Sequence, residues 1–86
     1  MSPLTIKQTI LRVLNVNRPY AVPAEQLLAE VNRLVRPALT AEELRPHLRF
    51  LLDRNMVAFL ADELDPENQD ARRWLIREAG QAQLKS

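Results

Sequence analysis

The apolar spacing of this 86-residue chain changes once, at Asn55, and that change limits the folds open to it. Before Asn55, apolar residues return every three or four positions, the period of an amphipathic helix. After it they gather in two short runs, "MVAFLAD" and "RRWLIR", rich in β-branched, aromatic and aliphatic residues. A helical body followed by a β-hairpin is the layout this pattern predicts.

Within the helical part, Ile6, Ile10, Val13 and Leu14, with Leu11 beside them, predict a first helix over about 5–16, opened by Thr5 and Gln8 as a capping pair. "NVNRPYAV" breaks it at Pro19, and residues 20–22 read as a short extended piece. Pro23 suits the first turn of a second helix, over about 23–35, whose stripe of Leu27, Leu28, Val31, Leu34 and Val35 stops at Arg36 and Pro37. A third helix over about 40–54 starts at Thr40 with Glu43 three residues on, a capping box, and closes at Asn55. The hairpin occupies about 57–77, with Asp65-Pro66 as its turn former, and 78–86 is a short helical tail. The expected fold class is mainly α with a small β-hairpin, a three-helix bundle plus wing, in a single domain spanning 1–86.

The third helix carries the candidate contacts. At about 100° per residue, Leu44, Leu48, Leu51 and Leu52 share one face and should point inward. Opposite them lie Glu42, Pro46, Arg49 and Asp53, with Phe50 on the flank beside Glu43. Proline in a helix interior costs about 3 kcal/mol if nothing relaxes, less near a helix start, so a bend near Pro46 is expected. Three readings of this face stay open. Phe50 is core or covered by the N-terminal arm; Pro46 and Phe50 anchor a partner; or Arg45, His47, Arg49 and Arg54 contact DNA. In the hairpin, Trp74 and Ile76 should face the helices, Leu60 and Leu75 should lie together on the other face, and Arg72 and Arg73 beside Arg77 form a second basic cluster.

What is missing narrows the function. With no cysteine there is no disulfide or thiolate chemistry, the lone His47 has no second histidine for a metal, and one glycine excludes a glycine-rich phosphate loop. The two serines, Ser2 and Ser86, are terminal and suit no nucleophile triad. A non-enzyme without cofactor, metal or small-molecule substrate is expected. Lys7, Gln8, Thr9 and Arg12 interrupt the apolar stretch a signal peptide needs, and no run of ~18 apolar residues occurs, so a cytoplasmic protein without membrane contact is expected. Charge divides at the same place as spacing. Residues 1–54 hold eight Lys or Arg against five Asp or Glu, and residues 55–86 hold four against six. The helical part is mildly basic and the hairpin mildly acidic.

The run "LTAEELRPHLRFLLDRNMV" resembles the leucine-bearing recognition helix of bacterial winged-helix transcription regulators, ending in a small or asparagine residue and a valine entering the first wing strand. "RRWLIREAGQAQL" is similar to the end of those domains, with Trp74, Ile76, Gly80 and Leu84 at matching places. The likeness covers nearly the whole chain. Two positions depart from it: Arg77 stands where the family carries a capping threonine, and "DELDPENQD", Asp62 to Asp70, has five carboxylates and no base where a DNA-reaching wing is basic. The resemblance implies a DNA-binding regulator that docks its third helix on DNA as a homodimer, with Arg45, His47, Arg49, Arg54, Arg72 and Arg73 as contacts. The alternative is a winged-helix module for protein association that binds no nucleic acid, with Pro46, Phe50, Leu60 and Leu75 at the contact.

Overall fold

The computed structural model describes residues 2–85, so Ser86 lies outside the described residues. Among these residues the protein is mainly helical, with four α-helices and one small antiparallel sheet. The order is α1 (Pro3–Val16), β1 (Val22–Pro23), α2 (Ala24–Leu34), α3 (Ala41–Asp53), β2 (Val57–Leu60), a single 3₁₀ turn (Gln69–Ala71), β3 (Arg73–Ile76) and α4 (Glu78–Lys85).

Helix boundaries follow local chemistry. The α1 helix begins two residues before the expected start, because Ser2 takes the cap position, its Oγ accepting from the Thr5 N–H at 3.2 Å, and Pro3 fills the first turn where its missing N–H costs nothing. Thr40 and Glu43 make the expected capping box, with the Thr40 N–H donating to Glu43 Oε1 at 3.0 Å and the Glu43 N–H to Thr40 Oγ1 at 3.1 Å. Beyond Arg54 the chain turns through Asn55 at φ 58°. There the Met56 N–H donates to the Leu51 carbonyl at 3.0 Å and the Asn55 N–H to the Leu52 carbonyl at 3.0 Å, the paired bonds of a Schellman ending. The α3 helix runs unbroken through Pro46.

The sheet has order β1-β3-β2. The short extended piece therefore gains a partner in the last strand, Val22 opposite Trp74 and Pro23 opposite Arg73, which the hairpin-only expectation did not contain. Between β2 and β3 the register sets Val57 against Ile76, Ala58 against Leu75, Phe59 against Trp74 and Leu60 against Arg73. Val57, Trp74 and Ile76 turn to the helices and are buried. Leu60 and Leu75 share the outer face as diagonal neighbours, not as a directly opposed pair.

One apolar core ties these elements together, running from Ile6, Ile10 and Leu14 of α1 through Leu27 and Val31 of α2 to Leu44, Leu48 and Leu51 of α3 and Trp74 and Ile76 of β3. Each fully buried leucine of this set contributes about 1.5–3 kcal/mol. The loop before α3 is clamped from α2: Asn32 accepts from the Leu39 N–H at 2.8 Å and donates to the Leu39 carbonyl at 2.9 Å. That double bond fixes where α3 starts. At the other end α4 packs on α1, with Gly80 against Leu11, Ile76 and the Met56 carbonyl.

Candidate functional site

With Leu44, Leu48 and Leu51 buried, the rest of α3 presents an outer face and two flanks. The outer face holds Glu42, Pro46, Arg49 and Asp53, all exposed. Arg49 Nε lies 3.2 Å from Asp53 Oδ1 one turn on, so this face carries no surplus positive charge.

The flank toward α1 is different. Lys7 from α1 places Nζ 4.7 Å from the centre of the Phe50 ring, and the Arg54 guanidinium lies 3.7 Å from the same centre. Each such contact is worth about 0.5–1 kcal/mol at an exposed site. Lys7 Nζ also donates to His47 Nδ1 at 3.2 Å. Burial, and then the Lys7 ammonium, hold the His47 pKa below its ordinary value, so the ring stays neutral and keeps Nδ1 as the acceptor. Neither Lys7 nor Arg54 forms an ion pair among the described residues. Glu43, one turn before His47, is engaged by the Thr40 backbone. Phe50, 38% exposed, thus lies under two cations, one of them carried by α1.

The flank toward the hairpin is an apolar groove of about 570 Å³. Leu28 of α2, Leu48 and Leu52 of α3 and Trp74 of β3 line its depth, and Pro46 stands at its edge. Arg45, Arg49 and Arg72 and the carboxylates Glu25, Glu42 and Asp70 also line it. Arg45 Nη2 meets Asp70 Oδ1 at 2.9 Å, bridging α3 to the 3₁₀ turn. Both ion pairs of α3 are largely open to solvent and are worth about 0–1 kcal/mol each. Arg72 stacks 4.0 Å above the Phe59 ring, and Phe59 packs on Trp74 at 5.3 Å. The Arg72 Nε–H and the Trp74 Nε1–H are buried without an acceptor among the described residues.

The expected DNA contacts are therefore divided. His47 and Arg54 fall on the α1 flank, Arg45 and Arg72 line the groove, Arg49 lies between the outer face and the groove, and Arg73 is exposed on β3. The expected partner residues are divided too, Pro46 to the groove, Phe50 to the α1 flank, Leu60 and Leu75 to the sheet's outer face. Lys7 and Asp70 were not among the candidates. They lie 40 and 25 residues from the α3 side chains they touch, and no periodicity links them.

Among the described residues no helix is long and apolar enough to cross a membrane, and no group of three His, Cys, Asp or Glu is placed to hold a metal ion. Comparison with protein-family models, with curated proteins and with solved structures found no match.

Proposed function

We propose that this chain is a winged-helix domain that binds nucleic acid through the α1 flank of α3. The observation that carries this reading is the pair Lys7 and Arg54 on one Phe50 ring, with neither ion-paired among the described residues. Two cations held together lose energy by mutual repulsion, and a phosphate removes that loss while releasing condensed counterions. His47 beside them offers its Nε2–H to the same anion. Three helices followed by a β2–β3 hairpin support the winged-helix part of the reading.

This geometry moves the expected contact set. Arg45 and Arg49 reach a phosphate only by exchanging partners with Asp70 and Asp53, and the outer face adds Glu42, so deep insertion of α3 into the major groove is disfavoured. Contacts to the phosphate backbone position a protein and carry no sequence information, so the domain should bind duplexes of different sequence about equally. A single copy making two phosphate contacts should lose about tenfold in affinity between about 50 and 200 mM salt.

Titration of a labelled random-sequence duplex, read by fluorescence anisotropy at low and moderate salt, tests this. Lys7→Ala and Arg54→Ala should each weaken binding and each lower the salt slope by about one. No binding at low salt, or affinity indifferent to both substitutions, would sink it. The groove on the hairpin flank favours a second reading, self-association of the domain with no nucleic acid required.

A further inference from the structure

The loop between β2 and β3 holds five carboxylates from Asp62 to Asp70 and no base, and all five are exposed. Of these only Asp70 forms an ion pair among the described residues, and its partner, Arg45, belongs to α3, 25 residues away. The other ion pair of α3, Arg49 with Asp53, stays within one helix. The Arg45–Asp70 pair joins two elements.

Exposed pairs are usually weak because two flexible side chains must be ordered to make one contact. Here the acid is already placed. Asn68 Oδ1 accepts from the Asp70 N–H at 3.0 Å, the Asn68 carbonyl accepts from the Ala71 N–H at 3.1 Å, and the Asn68 N–H donates to the Asp65 carbonyl at 3.2 Å. On the far side, the Arg72 carbonyl accepts from the Ala24 N–H at 2.9 Å and the Arg72 guanidinium stacks 4.0 Å above the Phe59 ring. The turn is held at both ends and the aspartate side chain is short, so the ordering cost falls mainly on Arg45.

A carboxylate oxygen 2.9 Å from a guanidinium nitrogen takes the place that a phosphate oxygen would take. We propose that Asp70 is an internal competitor for phosphate: it occupies Arg45, closes the hairpin flank of α3 to nucleic acid and confines binding to the α1 flank. This rests on the nucleic-acid reading of the α1 flank. A phosphate that reaches Arg45 must displace Asp70 and then lie beside the carboxylate it has displaced. Asp62, Glu63, Asp65 and Glu67 on the same loop add repulsion, since at about 0.01 M salt the Debye length of about 30 Å matches the 37 × 28 × 21 Å extent of the whole domain. At Lys7 and Arg54 no carboxylate is ion-paired among the described residues, so a phosphate there displaces nothing. The acidic loop, which departs from the basic wing of a DNA-reaching domain, thereby turns the duplex toward the opposite flank.

Asp70→Asn tests this, because it keeps the size of the side chain and removes its charge. The full chain is titrated against a labelled random-sequence duplex by fluorescence anisotropy at low and moderate salt. Asp70→Asn should bind about three- to tenfold tighter than the parent, the scale of one exposed charge contact, and its salt slope should steepen by about one. Asp70→Ala should do the same. The pair is open to solvent, so both variants should keep the circular dichroism spectrum and nearly the melting temperature of the parent. Arg45→Ala should change little in the parent and cancel the gain in the Asp70→Asn chain. A latch that only holds the hairpin to α3 would give the opposite sign, with affinity falling as the fold loosens.

Affinity unchanged or lowered in Asp70→Asn overturns the proposal and leaves the α1-flank reading standing wherever the parent binds. A gain that survives Arg45→Ala overturns it too, because the effect would then come from net charge alone. Binding by Asp70→Asn where the parent binds nothing would remove the α1-flank reading and leave Asp70 as the competitor. Silence from both chains removes both.

Discussion

The two flanks of α3 are made from similar residues and end in opposite electrostatic states. On the hairpin flank Arg45 meets Asp70, and at its edge Arg49 meets Asp53, so guanidinium groups that look available in the sequence are balanced. On the α1 flank Lys7 and Arg54 share a phenyl ring, and the nearby acid, Glu43, is bound to the backbone of Thr40. The charge of a helix face is therefore decided by which acids are already engaged, more than by how many basic residues it holds. One flank is left with surplus charge and little cavity, the other with a cavity and little surplus charge.

Both flanks hang from the same leucine row, so the largest expected effect is one that removes them together. Leu51→Ala, at a side chain only 1% exposed, should lower the unfolding free energy by about 2–5 kcal/mol in urea titration, and duplex binding and self-association should fall in parallel. Loss of one activity without the other would show that the flanks are not rooted in common.

Gly80→Ala should separate them. A Cβ there would meet the Met56 carbonyl and come within 2.8 Å of Ile76 Cγ1 and 3.1 Å of Leu11 Cδ2, with little room for any of them to move. Overpacking of this kind costs about 1–3 kcal/mol. Because α4 braces α1 against the end of α3, the displacement should reach Lys7, and duplex affinity should drop more than dimer stability does. Equal losses in both assays would argue against that brace.

Thr40→Ala carries a cost of about 1 kcal/mol from the lost cap. The bond lost is the one from the Glu43 N–H to the hydroxyl, while the backbone N–H of residue 40 still donates to Glu43 Oε1. Glu43 therefore stays engaged, and duplex affinity should stay near that of the parent. A marked loss of affinity would mean that the Thr40 hydroxyl, and not the backbone, keeps Glu43 from the cations.

The smallest effect is on pH. The His47 pKa lies below 6.5 in the folded chain, so the unfolded chain binds more protons as pH falls through that value. Stability is full above about 6.5, declines between the unfolded and folded values, and then levels off. A phosphate at Lys7 and Arg54 leaves the burial of His47 in place but offsets the Lys7 charge and favours the imidazolium, so duplex affinity should rise over the same window as His47 gains its proton. Parallel anisotropy titrations above and below the window should show this rise in the parent and not in His47→Ala; a rise that persists in the variant would assign it elsewhere.

The elements were legible in the sequence because their signals are local. The leucine spacing of α3, the capping box at Thr40 and the ending at Asn55 each lie within a few residues of what they determine. Ser2 with Pro3 carried an equally local signal for the start of α1 and outcompetes Thr5 for it. The pairing of β1 with β3 was not legible, since Val22 and Trp74 meet only once the helices have packed. For the same reason the groups that sort the arginines into balanced and unbalanced sets came from outside α3. Lys7, Asp70 and the Asn32 clamp on Leu39 all act through the tertiary fold.

The contrast between the flanks is tested most directly by two double variants titrated with the same random duplex at low salt. Lys7→Ala with Arg54→Ala should abolish most of the affinity and flatten its salt dependence, while Arg45→Ala with Arg49→Ala should leave both nearly as in the parent. If the second pair proves to be the damaging one, the hairpin flank and not the α1 flank meets the phosphates, and the assignment made here is wrong.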